Sequence, residues 1–257
     1  MKGKKNLTLA AYDRIMEMML DYDIVPGQRL VFVDLAGQLG VSRTPVNNAL
    51  SILAKEGYLD FVPNQGYSVH RLTRHEAEEL YEIREILEVG AIGKVVRMVT
   101  DEKMRILERN KKEYERAISD RVHRKLFILD TEFHASLIGM IENRYLVERY
   151  RDICQKIFLR FRIDDLKVER ISEIVHQHEE IYEAIHIRDV ERAKELLKNH
   201  YRDSKRNLFA IIFREKESAE RIKNGIRKNA SADASPSESH PSEEGRDEEK
   251  RLRETDG

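Results

Sequence analysis

No proline occurs between Pro63 and Pro236. Proline lacks the backbone donor a helix interior needs, and its ring clashes with the preceding turn. A stretch this long without one is free to run as a succession of long helices. Its apolar residues recur three and four positions apart, the spacing of a half-buried helix rather than of a strand. That spacing predicts helices near 75–98, 101–119, 123–140, 143–164, 171–187 and 190–220, with Asp189 capping the last. Helices joined by short connections bury their apolar stripes by packing on one another as a bundle.

The segment up to the hairpin reads differently. Leu7, Ala10, Ala11, Ile15, Met18 and Met19 make a helical stripe over 7–21, and Pro26–Gly27 breaks it. A short helix over 32–40 ends at Gly40. After "VSRTP" a third helix turns Val46, Ala49, Leu50 and Leu53 inward and stops at Gly57. Two starts fit it: Thr44 caps it with Pro45 in the first helical position, or Ser42 caps it. "YLDFV" and "YSVH" are short β-type runs around the turn "PNQG". Three helices and a hairpin wing make a winged helix-turn-helix. The expected fold is mainly α, with a winged helix-turn-helix in residues 1–74 and an all-helical bundle in residues 75–222. Residues 223–257 are expected to form a disordered tail. From 229 onward it holds five serines, two prolines and nine acidic against four basic side chains, with Leu252 its only large apolar residue. Such a stretch has too little apolar surface to fold.

Net charge is −1 over 257 residues, so a nucleic-acid partner must be met by a local surface. Residues 1–74 carry nine Lys/Arg against seven Asp/Glu, a weak surplus. Cys154 is the only cysteine, which excludes an intramolecular disulfide. The opening "MKGKKNLTLAAYDRIMEMML" lacks the apolar run and cleavage site of a signal peptide. No stretch approaches the roughly 20 apolar residues that span a bilayer. A cytoplasmic protein without a membrane partner is expected.

In a helix-turn-helix the second helix enters the major groove with its N-terminal residues at the base edges. Here Thr44, Asn48, Ser51 and Lys55 fall opposite the buried side, with Asn47 beside them, Arg43 at the entry and Ser42 just before it. Arginine can grip guanine through two hydrogen bonds and asparagine can grip adenine in the same way. Gln65 and Gly66 form the tip of the wing, where glycine permits close backbone approach. A protein-binding winged helix has the same outline.

The run "PGQRLVFVDLAGQLGVSRTPVNNALSILAKEGYLDFVPNQGYSV", residues 26–69, resembles the DNA-binding domain of the GntR family of bacterial transcription regulators. The resemblance rests on Pro26–Gly27, Leu30, Leu35–Ala36, "LGVSRTPV", Ala49–Leu50, Leu53, Glu56–Gly57 and "PNQG". It implies double-stranded DNA as partner, with Arg43 and Gly66 at matching contact positions. The chain departs from the family at Asn47–Asn48, where an arginine followed by an acidic residue is usual, and at Val33, where some members carry arginine. An operator unlike the usual family sequence is the expected consequence.

The helical region places polar residues where periodicity demands burial. Phe127, Leu137, Ile138 and Ile141 define one apolar stripe, and Asp130 and His134 lie on it at a spacing of four, which lets two side chains share one metal. His178 lies on the stripe of Ile174, Ile181 and Ile185, and His200 on that of Ala193, Leu196 and Leu197. Any one such histidine reads as a hydrogen-bonded core residue. Four together offer oxygen and imidazole donors suited to a divalent ion, zinc, nickel, manganese or iron. His176 is an alternative ligand off the stripe, and His123 and His186 read as surface residues.

These segments resemble the FCD ligand-binding domain of the FadR subfamily of the same regulators, over residues 75 to 215. The matched pieces are "YEIREILE" at 81–88, "DTEFH" at 130–134, Asn143, "HEEIYEAI" at 178–185 and "RDVERAKELLKNH" at 188–200. The resemblance implies a divalent metal held by Asp130, His134, His178 and His200. It also implies a small carboxylate effector bound there with Arg84 and Asn143, and a homodimer on a palindromic operator, acting as a repressor. Arg84 has a second reading, a salt bridge to Glu88 one turn on. Other classes stay open: a direct metal sensor, a metal-dependent hydrolase and an architectural DNA binder. The hydrolase lacks a placed general base, a nucleophile arrangement and a phosphate loop, so a non-enzymatic regulator is the expectation.

Overall fold

A computed structural model describes residues 6–118, 123–161 and 168–213 of the chain. α1 (Leu7–Leu20) opens on Asn6, whose side-chain oxygen accepts from the amides of Thr8 and Leu9. That satisfies donors a helix start otherwise leaves unpaired. α2 (Phe32–Leu39) ends on Gly40 in the left-handed conformation at φ 64°, a backbone that costs other residues more than glycine. α3 (Arg43–Lys55) starts after Ser42, not Thr44, so Pro45 stands third in the helix. Its missing donor does no harm there, because the first-turn amides have no helical partner. α3 buries Val46, Ala49, Leu50 and Leu53 completely, each leucine contributing about 2 kcal/mol.

β2 (Leu59–Val62) and β3 (Gly66–Val69) form the expected hairpin. The chain pattern places only a turn before α2, yet a strand lies there. β1 (Arg29–Leu30) pairs antiparallel with β3, Leu30 opposite Tyr67, and the sheet order is β1-β3-β2. Two residues show no periodicity of their own. The strand exists because the free edge of β3 satisfies its backbone.

Six further helices follow: α4 (Arg74–Met98), α5 (Asp101–Ala117), α6 (His123–Gly139), α7 (Arg144–Leu159), α8 (Val168–His186) and α9 (Val190–Ile212). Thr73 and Glu76 cap α4 reciprocally, each side chain bonding the other's backbone amide. Asp189 caps α9 as expected, accepting from Arg192 N at 3.0 Å. The bundle core gathers Val95, Leu107, Phe133, Leu137, Ile138, Ile181, Ile185 and Leu197. α8 begins three residues before the spacing implies. The remainder of the predicted span to 220, and the Ser-rich acidic tail, lie outside the described residues.

α7 ends early for a visible reason. The carbonyl of Arg160 accepts from Leu72 N at 3.0 Å, and its guanidinium donates to the carbonyl of Gly57. Just before it, Phe158 and Leu159 sit in the winged-helix core with Ile15, Leu50 and Leu53. Tyr58 shares its hydroxyl between Asp152 Oδ1 at 3.2 Å and Gln155 Oε1 at 3.1 Å. The last turns of α7 thus complete a core that sequence order assigns to the first 74 residues.

Candidate functional site

The N-terminal half of α3 presents Ser42, Arg43, Thr44, Asn47 and Asn48 to solvent on one side, opposite its buried leucines. Gln65 is exposed at the tip of the wing. Gly66 holds φ 87° and a side chain there would meet open space, so backbone conformation rather than crowding demands glycine. The wing also exposes Phe61 and Val62, apolar residues that the strand pattern did not single out as surface.

Within the bundle, α6 supplies Asp130 and His134, α8 supplies His178 and α9 supplies His200. One ligand atom from each lies within 4.8 Å of all the others. His134 Nε2 and His200 Nε2 are 3.1 Å apart, and Asp130 Oδ1 is 3.3 Å from His178 Nε2. An ion with bonds of about 2.1 Å spaces neighbouring ligands about 3.0–3.4 Å apart. The three histidines are fully enclosed, at 0%, 0% and 1% exposure.

Two of the histidines are oriented by an acceptor at Nδ1. Nδ1 of His134 lies 2.7 Å from Glu88 Oε1, and Nδ1 of His200 lies 2.9 Å from Gln177 Oε1. Each acceptor takes the Nδ1 proton and leaves the Nε2 lone pair for a cation. His178 is held by packing instead. Its ring stacks on Phe133 at 4.1 Å and meets the edge of Tyr114, and neither nitrogen has a hydrogen-bond partner among the described residues. Burial holds His178 and His200 below the usual imidazole range, with the neighbouring His134 adding to the effect. Burial opposes ionisation of Asp130, but His178, His134 and His200 outweigh it and hold the carboxyl well below its usual range. Glu88 pulls the other way on His134 and raises its pKa despite burial, so a cation entering the cluster must displace a proton there, as metal binding to imidazole ordinarily does. The residues present therefore fit a bound metal.

Arg84 does not bridge Glu88. Its Nη2 donates to Tyr150 Oη at 3.1 Å and lies 3.7 Å from Asp130 Oδ2, while Nε has no partner among the described residues. Tyr150 Oη is 2.9 Å from Tyr201 Oη, and Tyr201 donates to Glu88. A continuous hydrogen-bonded chain thus runs from Arg84 to His134. Arg84 and Asp130 line a recess that opens to solvent. Leu126, Phe127, Ile174 and Leu208 give it apolar walls, and Arg170, Ser204 and Asn207 give it polar ones.

Asn143 stands apart. It is exposed, caps α7 by accepting from Leu146 N at 3.2 Å, and does not line the recess. His176 is 75% exposed at its side chain and lies 3.7 Å from Glu180. His186 is exposed, and the side chain of His123 lies outside the described residues. Neither Gln177 nor Arg170 carries a signal in the sequence that marks it for the site. Glu88 is visible only as a partner for Arg84, and Arg170 lies before the predicted start of its helix.

Residues 7–69 match the family described as bacterial regulatory proteins, gntR family, and residues 79–203 match the FCD domain. The chain is 34% identical over 162 residues to the Nta operon transcriptional regulator of Aminobacter aminovorans, covering 63% of this chain and 76% of that protein. It is 28% identical over 211 residues to the HTH-type transcriptional regulator YdhC of Bacillus subtilis strain 168, covering 82% and 94%. The fold is that of the solved structure of E. coli McbR/YncC, at TM-score 0.69 and 21% identity, over 80% of this chain and 98% of that one.

Proposed function

Because the chain belongs to the gntR family of bacterial regulatory proteins, with an N-terminal gntR helix-turn-helix and a C-terminal FCD domain, we propose that it is an effector-responsive repressor. The family is one of transcription regulators and not of enzymes. In this reading residues 1–74 bind a palindromic operator in the cytoplasm, residues 75–222 sense a small carboxylate, and residues 223–257 are an appendage. Among the described residues no helix is long and apolar enough to cross a membrane.

The observation that carries the proposal is the buried cluster of Asp130, His134, His178 and His200 beside a recess entered by Arg84. These four residues would hold a divalent ion, zinc, nickel, manganese or iron. When bound, the ion supplies a Lewis-acid site for a carboxylate oxygen. Arg84 would orient that carboxylate through its unpaired Nε and its remaining donors. Signal transfer needs an effector that prefers one arrangement of the chain. α7 is the supporting route: Tyr150 bonds Arg84 and, two turns on, Phe158 and Leu159 sit in the winged-helix core. Repression needs only occupancy of the operator, whereas activation needs a further contact with polymerase.

On the DNA side, Ser42, Arg43, Thr44, Asn47, Asn48, Gln65 and Gly66 are the proposed contacts. Asn47 is proposed to read a base. Selection of binding sites from a random DNA pool, with bound metal quantified in the same sample, tests the whole reading. Enrichment of a short palindrome is expected, and the absence of any enriched sequence from folded, metal-bearing protein, with candidate acids present and absent, would overturn it. Asn47→Ala is expected to relax preference at one position of each half-site by about tenfold, within the 1–3 kcal/mol of a bidentate base contact. An unchanged selected sequence would mean Asn47 only faces solvent.

A homodimer is supported by the exposed face of α4. Ile83, Ile86 and Gly90 form an apolar strip, 43% and 62% exposed at the two isoleucines. Glu79 and Glu82 precede it, and Lys94 and Arg97 follow it, all exposed. Antiparallel pairing with a second copy about a twofold near residue 88 sets the acidic end against the basic end. Ile86→Glu puts two carboxylates near that axis. Sedimentation is expected to show at least a tenfold weaker dimer with unchanged helix content, and an unaltered dimer would move the interface elsewhere.

A further inference from the structure

The recess holds two buried arginines, not one. Arg170, from α8, is 6% exposed and lines it together with Arg84 from α4. Its Nη1 donates to Glu173 Oε2 at 3.1 Å and its Nη2 to Ser204 Oγ at 2.9 Å. Glu173 is 59% exposed at its side chain, so water screens its charge and it compensates Arg170 weakly. Ser204 is neutral. Asp130 is the only carboxylate among the described lining residues, and it belongs to the ligand cluster. Two enclosed cations therefore face one recess whose single anion among the described residues, Asp130, is shared with the histidine cluster. Buried charges are ordinarily paired, and among the described residues these two arginines have only Asp130, at 3.7 Å from Arg84, and the exposed Glu173 as anionic partners.

We propose that Arg170, with Ser204 and Asn207, forms a second anion subsite, so that the effector is a small dicarboxylate rather than a monocarboxylate. This rests on the reading of the recess as a carboxylate sensor. The donors are in place. Ser204 Oγ accepts from Arg170, which leaves its own hydroxyl proton to give. Asn207 spends one amide proton on the carbonyl of Asp203 at 2.9 Å and keeps the other. Arg170 has five N–H groups and uses two of them among the described residues. The apolar walls of the recess suit a short hydrocarbon spacer between two carboxylates, one at Arg84 and the metal-ligand cluster, the other at Arg170.

The test is calorimetric titration of the full chain, with its metal content measured, using succinate, glutarate and adipate. Each is matched against the monocarboxylate of equal carbon number: butyrate, pentanoate and hexanoate. At least one diacid is expected to bind tenfold or more tightly than its matched monoacid. Arg170→Gln is expected to erase that preference while leaving monoacid affinity within twofold. Asn207→Asp, which sets a like charge in the subsite, is expected to weaken the diacid tenfold and spare the monoacid, so the test survives if Arg170→Gln fails to fold. Equal binding of diacids and monoacids, or a preference that survives both variants, overturns the subsite and leaves the carboxylate sensor standing. Binding of neither class by metal-bearing protein overturns both.

Discussion

Protein carrying His178→Ala is expected to retain less than a tenth of the divalent metal held by the parent chain, by elemental analysis after dialysis. Loss of a group that merely orients a ligand costs 10–100-fold in metal affinity, and His178 is proposed as a ligand itself. Its ring is held by stacking on Phe133 at 4.1 Å rather than by hydrogen bonds. Its removal takes one neighbour from Asp130, which keeps His134 and Arg84 within 4 Å, so the fold should survive while the donor set drops to three. His200→Ala should lose metal as well, and it also releases Gln177, whose oxygen lies 2.9 Å from His200 Nδ1. His176→Ala is the control. Its side chain is 75% exposed two residues away, and metal content should be unchanged. Full metal in both His178→Ala and His200→Ala would place any bound ion away from this cluster.

Phe158→Ala is expected to destabilise the chain by about 3–5 kcal/mol, the cost of a large aromatic deletion in a core. Phe158 is 5% exposed, lies 6.2 Å from the Tyr22 ring and 5.8 Å from Phe127, and packs in the winged-helix core. The loss should therefore be read in the DNA-binding half, although the substitution is made in the bundle. Urea unfolding followed by far-ultraviolet dichroism gives the magnitude, and operator binding near the midpoint shows whether the head is affected. A loss below about 1 kcal/mol, the level of a tolerant site, would mean that α7 merely touches the head.

Much of this arrangement is legible in the sequence, because periodicity reports burial directly. Leu50 and Leu53 announce the inner face of α3, and Asp130, His134, His178 and His200 stand out as polar residues on apolar stripes. What stays hidden depends on partners distant along the chain. β1 is a strand only because β3 has a free edge. Arg84 reads equally as a bridge to Glu88 until Tyr150, brought in by α7, accepts its hydrogen bond. Glu88 and Gln177 look like ordinary helix surface, and only the tertiary fold turns them onto the histidines. Asn143 illustrates the converse. It belongs to a matched pattern, yet its side chain is occupied in capping α7, so its place in the motif is accounted for by helix initiation.

The insertion of Phe158 and Leu159 into the winged-helix core bears on how such proteins can be recombined. A splice at Thr73, the obvious joint in the chain, would carry away a head whose hydrophobic interior is missing two of its own buried side chains. It would also leave Tyr58 without Asp152 and Gln155, and the carbonyl of Gly57 without Arg160. A head transplanted onto another sensor keeps its stability only if that sensor delivers bulky apolar residues, followed by a donor like Arg160, at the corresponding helix end. Interchangeability here is a property of a head together with the last two turns of α7, so a working chimera requires a discontinuous graft.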